Sequence, residues 1–219
     1  MLLSAVGLAL ALAAALFLAS GRLDWWMAWI YIGVRVATAA TSMLWMASKH
    51  PGMLDERFHP GEGAKGWDRW LGGGSTLLAL VTLIVAGLDA RFAWSPQPVP
   101  AVQLIALLVF VLADAFSKWA AASNPFYSRV VRIQKDRGHT VVTQGPYRFV
   151  RHPGYAGALA AALATPFVLG SLWALAAAGV LAVVLAIRTA LEDRALREEL
   201  AGYAEYARRT RYRLVPGVW

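Results

Sequence analysis

Four predominantly apolar runs, each close to 20 residues long, limit what this chain can become: Met1–Ser20, Trp25–Ala47, Gly72–Trp94 and Val99–Ala121. At about 1.5 Å per residue, one such run covers the ~30 Å hydrocarbon core of a bilayer as a single helix. A helix also satisfies its own backbone where water is absent. A fifth region, Gly154–Ala190, is too long for one crossing, and Pro166 with the pair Gly170-Ser171 predicts that it folds as a hairpin of two shorter helices. Apolar residues make up 58% of the chain and charged ones only 16%, a balance outside the range of an ordinary soluble domain. The expected fold is all-α: a polytopic integral membrane protein with four transmembrane helices and a C-terminal helical hairpin. The first run has no Lys or Arg ahead of it, so it is expected to be a retained helix rather than a cleaved secretory signal.

Charge orients the helices. Of the 21 Lys and Arg residues, 17 fall in the segments 49–69, 129–151 and 188–213, and only Arg22 and Arg91 lie in the alternate loops. By the positive-inside rule the rich loops face the cytoplasm, which places both termini there and the protein in a cytoplasmic or inner membrane. The same bias and attraction to anionic lipids account for the net charge of +8. No aromatic-rich basic module accompanies it, so no nucleic-acid partner is expected. Trp25, Trp26, Trp94 and Trp173 fall at the outer ends of the runs and Trp45, Trp67, Trp70 and Trp119 at the inner ends, as interfacial anchors do. There is no cysteine, which excludes disulfides, thiolate nucleophiles and thiolate metal sites. Four histidines, three of them next to proline, argue against a metal cluster, and no metal is expected.

Those three form His-Pro-Gly copies at His50, His59 and His152. A residue before proline is pushed toward extended geometry and proline suits the first helical position, so each copy can be simple punctuation. The first follows a membrane run. The second lies in the segment 49–70, which reads as irregular apart from an amphipathic turn near Trp67–Trp70. The third opens the hairpin: its first-turn amides face the polar interface, Arg148 and Arg151 stand just upstream, and Gly145-Pro146-Tyr147 supplies a tight approach. That combination favours a small anionic ligand group. At the far end of the hairpin stands Glu192-Asp193, and a carboxylate so near the bilayer is costly unless paired. If that helix continues, Glu192, Glu199, Tyr203 and Tyr206 share a face. Asp193 with Arg197, and Arg188 with Glu192, are spaced as ordinary ion pairs.

The stretch GPYRFVRHPGYAG, then the acidic pair, then YAEYARRTRYRLVPG, resembles the integral-membrane isoprenylcysteine carboxyl methyltransferases, with phospholipid N-methyltransferases as looser relatives. The likeness covers Asn124–Trp219, so that 1–121 reads as N-terminal membrane helices and 122–219 as a methyltransferase-like region of one continuous membrane domain. It implies S-adenosylmethionine as methyl donor in a cytoplasmic pocket, and a lipophilic acceptor arriving from the bilayer. Carried over by position, the cofactor contacts are Gln134, His139, Gly145, Tyr147, Arg151, His152, Pro153, Tyr155, Gly157, Glu192 and Asp193. Arg151, His152 and Glu192 are the catalytic candidates, and Tyr203, Tyr206 and Arg211 the acceptor contacts. The family usually carries Glu-Glu at the acidic pair, so Asp193 is a departure and Glu192 receives more weight. Two rivals remain at this level: an NADPH-dependent membrane sterol-type reductase, whose similar element differs at the places of Gly154 and Ala158, and a transport or assembly protein using Arg35, Asp114 and Lys118.

Overall fold

The computed structural model describes residues 2–59, 62–96 and 98–219, and among the described residues every regular element is helical. Four helices are long and apolar enough to cross a membrane: α2 (Trp26–Lys49), α4 (Gly66–Phe92), α5 (Pro100–Ser123) and α7 (Ala174–Glu199). Two shorter apolar elements complete the bundle, α1 (Leu2–Ala13, continued by a π-helical turn Ala14–Leu18) and α6 (Pro153–Leu169). The expected membrane architecture is observed, with the first run shorter than a full span. The hairpin also forms: α6 ends at Gly170 in the left-handed conformation, φ 71°, a position glycine reaches without penalty. Pro166 is not the break. It sits inside α6, where Thr165 Oγ1 donates to the Ala161 carbonyl.

Packing differs from that of a soluble protein, although Phe110 of α5 is buried among the small residues. On α5, Leu104, Ile105, Leu108 and Leu112 are exposed while Ala106, Ala113 and Ala120 are buried. Lipid tails are as apolar as leucine, so small residues collect where helices must approach and large ones face outward. Gly157 of α6 shows the effect most sharply: a Cβ there would collide with Ser117 Oγ and the Ala113 carbonyl of α5. Gly87 of α4 does the same for the first helix, where a Cβ would lie 2.8 Å from the Leu16 carbonyl.

The segment 49–70 is more regular than its composition suggests. His50 separates α2 from a further helix, α3 (Pro51–Phe58), with Pro51 at the first helical position. The following Met-Leu-Asp-Glu-Arg run consists mostly of good helix formers. Glu56 of α3 is buried and takes a bidentate ion pair from Arg132, 2.9 and 2.7 Å, which clamps α3 to the loop between α5 and α6. His59 is exposed, 3.3 Å from Asp55; Pro60 and Gly61 of that second copy lie outside the described residues.

Candidate active site

The polar ends of α4, α6 and α7 and the 124–150 loop enclose a cavity of about 690 Å³, within the usual range for a small-molecule site. His152 stands just before α6 with Pro153 first in the helix, so the punctuation chemistry and the site coincide. His152 Nε2 lies 3.3 Å from Asp193 Oδ1 and 3.2 Å from the Tyr203 hydroxyl, which itself donates to Asp193 Oδ1 at 3.0 Å. An ionised Asp193 can only accept, so this contact selects the tautomer with its proton on Nε2, in which the lone pair is on Nδ1.

Asp193, fully buried, is the hub of this end of the molecule. Arg151 binds it through Nε (2.6 Å) and Nη2 (3.2 Å), and Arg197 and Arg213 each donate at 3.1 Å. The remaining Nη1 of Arg151 donates to the carbonyls of Thr210 (2.8 Å) and Arg211 (2.6 Å). Backbone N–H groups of Arg151 and His152 also donate to Tyr212 and Arg213, 2.9 and 3.0 Å. The Arg-Tyr-Arg tail is thus laced to the start of α6. Four of the five N–H donors of Arg151 are committed in this way, so it is chiefly a structural tie, with one N–H of Nη2 uncommitted.

Glu192, one residue before the hub, has the opposite environment. Its carboxylate reaches the cavity wall and accepts a 2.7 Å hydrogen bond from Tyr155, whose ring lies under Arg188 at 5.4 Å. Arg188 does not pair with Glu192 as the spacing suggested. It reaches 2.6 Å to Asp68 of α4, and Asp68 also accepts the Val131 backbone N–H at 2.9 Å.

The cavity wall includes Gln134, His139 and Tyr147 from the loop and turn, Arg151, His152 and Tyr155 from the start of α6, and Glu192, Tyr203 and Tyr206 from the C-terminal helices. Gln134 is tied on both sides, donating to Phe126 O at 2.6 Å and accepting from Arg137 at 2.6 Å. His139 Nδ1 accepts the Gln134 backbone N–H at 3.3 Å; burial and the neighbouring Arg132 and Arg137 push its pKa down. Tyr147 receives Asn124 Nδ2 at 3.1 Å, and burial raises its pKa. Burial likewise raises Tyr206, to about 12, and its hydroxyl donates to the Tyr147 carbonyl at 2.6 Å.

Five expected positions lie off that wall. Gly145 (φ 59°) packs against Ser123, Gly157 packs against α5, Pro153 starts the helix, Asp193 is the hub, and the Arg211 side chain is exposed while its carbonyl serves Arg151. The expected face through Glu199 does not form either. The chain leaves the helix at Leu200 and turns at Gly202, φ 83°, before α8 (Tyr203–Arg209), and Glu199 pairs instead with Lys65 at 2.6 Å. Tyr203 and Tyr206 reach the cavity because α8 folds back.

A second cavity, about 920 Å³ and mostly apolar, opens between the membrane helices. The two share Tyr127, Arg129, Gly154, Ala158 and Leu185, together with Thr76 and Ser128, as a common wall. Gly154 matters at this seam because a Cβ would lie 2.7 Å from the Tyr127 hydroxyl. Neither Tyr127 nor Arg129 was marked by any sequence motif; only their place between the cavities singles them out.

This is a polytopic helical membrane protein with a charged cavity at one end of the bundle joined to an apolar one between its helices. Residues 104–198 match the model of the isoprenylcysteine carboxyl methyltransferase (ICMT) family, so the resemblance read from the motifs is borne out; the match starts within α5 and stops before the tail. Probable protein-S-isoprenylcysteine O-methyltransferases of Oryza sativa subsp. indica and subsp. japonica are 32% identical over 69 residues, 31% of this chain. The chain thereby spans 36% of the length of those curated relatives. The solved structure of the eukaryotic intramembrane Ras methyltransferase ICMT superposes with a TM-score of 0.58 at 19% identity, covering 91% of this chain and 70% of that one, which is likeness of fold.

Proposed function

We propose that this protein is an integral-membrane methyltransferase that uses S-adenosylmethionine and methylates a lipophilic acceptor, with a carboxylate as the preferred methylated group. The observation that carries the reading is the shared wall: a polar cavity for a charged donor meets an apolar cavity for a membrane-borne acceptor at Tyr127 and Gly154. The polar cavity suits the donor's chemistry. Glu192, held by one tyrosine hydroxyl, is the acidic partner for its ammonium or ribose hydroxyls. With Arg151 largely committed to the hub, Arg69 and Arg129 on the wall are the main cations for its carboxylate. The loop residues Gln134 and His139 and the tyrosines Tyr147 and Tyr206 provide the enclosure.

The donor supplies an electrophilic methyl group on a sulfonium. The protein's part is to align that methyl with an acceptor atom about 3 Å away and keep water out. A carboxylate acceptor is already a nucleophile, so no base is required and His152 acts by position; a thiol or amine acceptor would call on its Nδ1. The charge-rich end and both termini face the cytoplasm in this reading, by the positive-inside rule.

Thermal-shift titration of the full chain in detergent tests the donor. S-adenosylhomocysteine is expected to raise the unfolding midpoint and NADPH to leave it unchanged. Glu192→Gln is expected to weaken S-adenosylhomocysteine by tenfold or more, about 1.4 kcal/mol. Stabilisation by NADPH alone would favour the reductase reading, and binding of neither would sink both.

A further inference from the structure

We propose that the deep end of the apolar cavity is a separate recognition subsite, built on Arg35, for an anionic oxygen at the far end of a lipophilic chain; the ligand class rests on the methyl-transfer reading above. Arg35 stands within the membrane span α2, nine residues after Trp26. Its Nε is buried and makes no hydrogen bond, and its guanidinium lies over the face of Phe110 at 5.8 Å. A cation at this depth is costly and is ordinarily kept with a partner.

The cavity itself does not provide one. Among the described residues Asp114 is the one carboxylate on its wall, and Lys118, one turn along α5, is paired with it. Asp114 is thus taken by Lys118, and of the other cations on the wall Arg129 lies at the seam, so Arg35 is left with no acid in the depth of the cavity. Thr38 and Ser42, at i+3 and i+7 from Arg35, also line the cavity and continue a polar stripe along that face of α2. The stripe runs toward the seam, as a path for a polar group would.

Depth separates this subsite from the methyl-transfer position. Ser117 Oγ donates to the Gly154 carbonyl at the seam, 3.0 Å. Phe110 lies seven residues earlier on the same helix, roughly 10 Å deeper. Methyl transfer needs its two atoms about 3 Å apart. An oxygen on Arg35 is therefore not the one methylated at the seam, and a single ligand that satisfies both places is two-ended: an acceptor group at Tyr127 and a second, carboxylate-like group further down the chain. A plain hydrocarbon tail leaves Arg35 unpaired.

The test is calorimetric titration of the full chain, in detergent at pH 8, with dodecanedioate and with dodecanoate as matched probes. Arg35→Leu is expected to weaken dodecanedioate by at least tenfold and dodecanoate by less than twofold, while Arg35→Lys keeps dodecanedioate within about threefold of the parent. Unchanged dodecanedioate affinity in Arg35→Leu overturns the subsite, and equal losses for both probes overturn the two-ended ligand. S-adenosylhomocysteine binding, measured on the same samples, reports on the folded polar cavity. Donor binding without any Arg35 effect sinks the subsite alone; an Arg35 effect without donor binding leaves the anion subsite standing and sinks the methyl-transfer reading.

Discussion

Two clusters of charge lie on neighbouring helices and are solved in opposite ways. Around Asp193, three arginines, a histidine and a tyrosine converge on one carboxylate, and the leftover donors of Arg151 go to tail carbonyls. Within the membrane-spanning region Asp114 pairs with Lys118, and the Nε of Arg35, on the same cavity, is left over. A closed cluster is chiefly architecture: most of its donors are committed within it, and it loses a great deal if one member is removed. An open cluster is a capacity, and the surrounding fold tolerates its loss.

The sharpest way to break this comparison is Asp193→Ala. It strands Arg151 in a buried site and unlaces the tail, with an expected loss of about 3–5 kcal/mol, read as a large drop in the thermal midpoint or failure to accumulate. A near-normal midpoint would mean the hub is not structural. Arg35→Leu should go the other way, because an unpaired cation is exchanged for an apolar side chain facing apolar neighbours. The expected gain is about 1 kcal/mol, within the range for relieving a buried unsatisfied donor, seen as a midpoint at or above that of the parent. A clear destabilisation would show that Arg35 already has a stabilising partner.

Acid should find the weak point of the loop that closes the polar cavity. The pKa of His139 is lowered in the folded protein by burial and two arginines, so the unfolded chain binds its proton more readily. Its contribution is therefore complete above the ordinary value near 6.5 and is lost as pH falls from there toward the lowered folded value. Midpoints measured at pH 7.5 and pH 5.5 should differ, and His139→Gln should shrink the difference; an unchanged difference would assign it elsewhere. The smallest effect is expected at His59→Ala. Its ring is exposed and, among the described residues, its polar contact is with Asp55, so midpoint and donor affinity should stay within about 0.5 kcal/mol of the parent. A loss there comparable to that of His152→Ala would place the second His-Pro-Gly copy in the site.

Much of the fold was legible along the chain. The apolar runs correspond to α2, α4 and α5, the hairpin breaks at Gly170, and the third His-Pro-Gly copy opens a helix at the charged end, because these depend on run length and local backbone preference. Arg188, Glu199 and the segment after His50 were read less well. Arg188 and Glu199 find partners 120 and 134 residues away, in Asp68 and Lys65, whereas spacing rules see only the near neighbour. The helix after His50 is held by Glu56 and Arg132, 76 residues apart.

What the sequence by itself determined is the medium and the place: helices for a bilayer, a charge-rich end, and the neighbourhood of His152 and Glu192-Asp193 as the location of the chemistry. Only the tertiary structure decided which acid does what. Adjacent residues on a helix point about 100° apart, so Glu192 faces the cavity while Asp193 faces the helix start and the returning tail. Which of these directions leads to a cavity and which to a ring of arginines depends on how the helices pack.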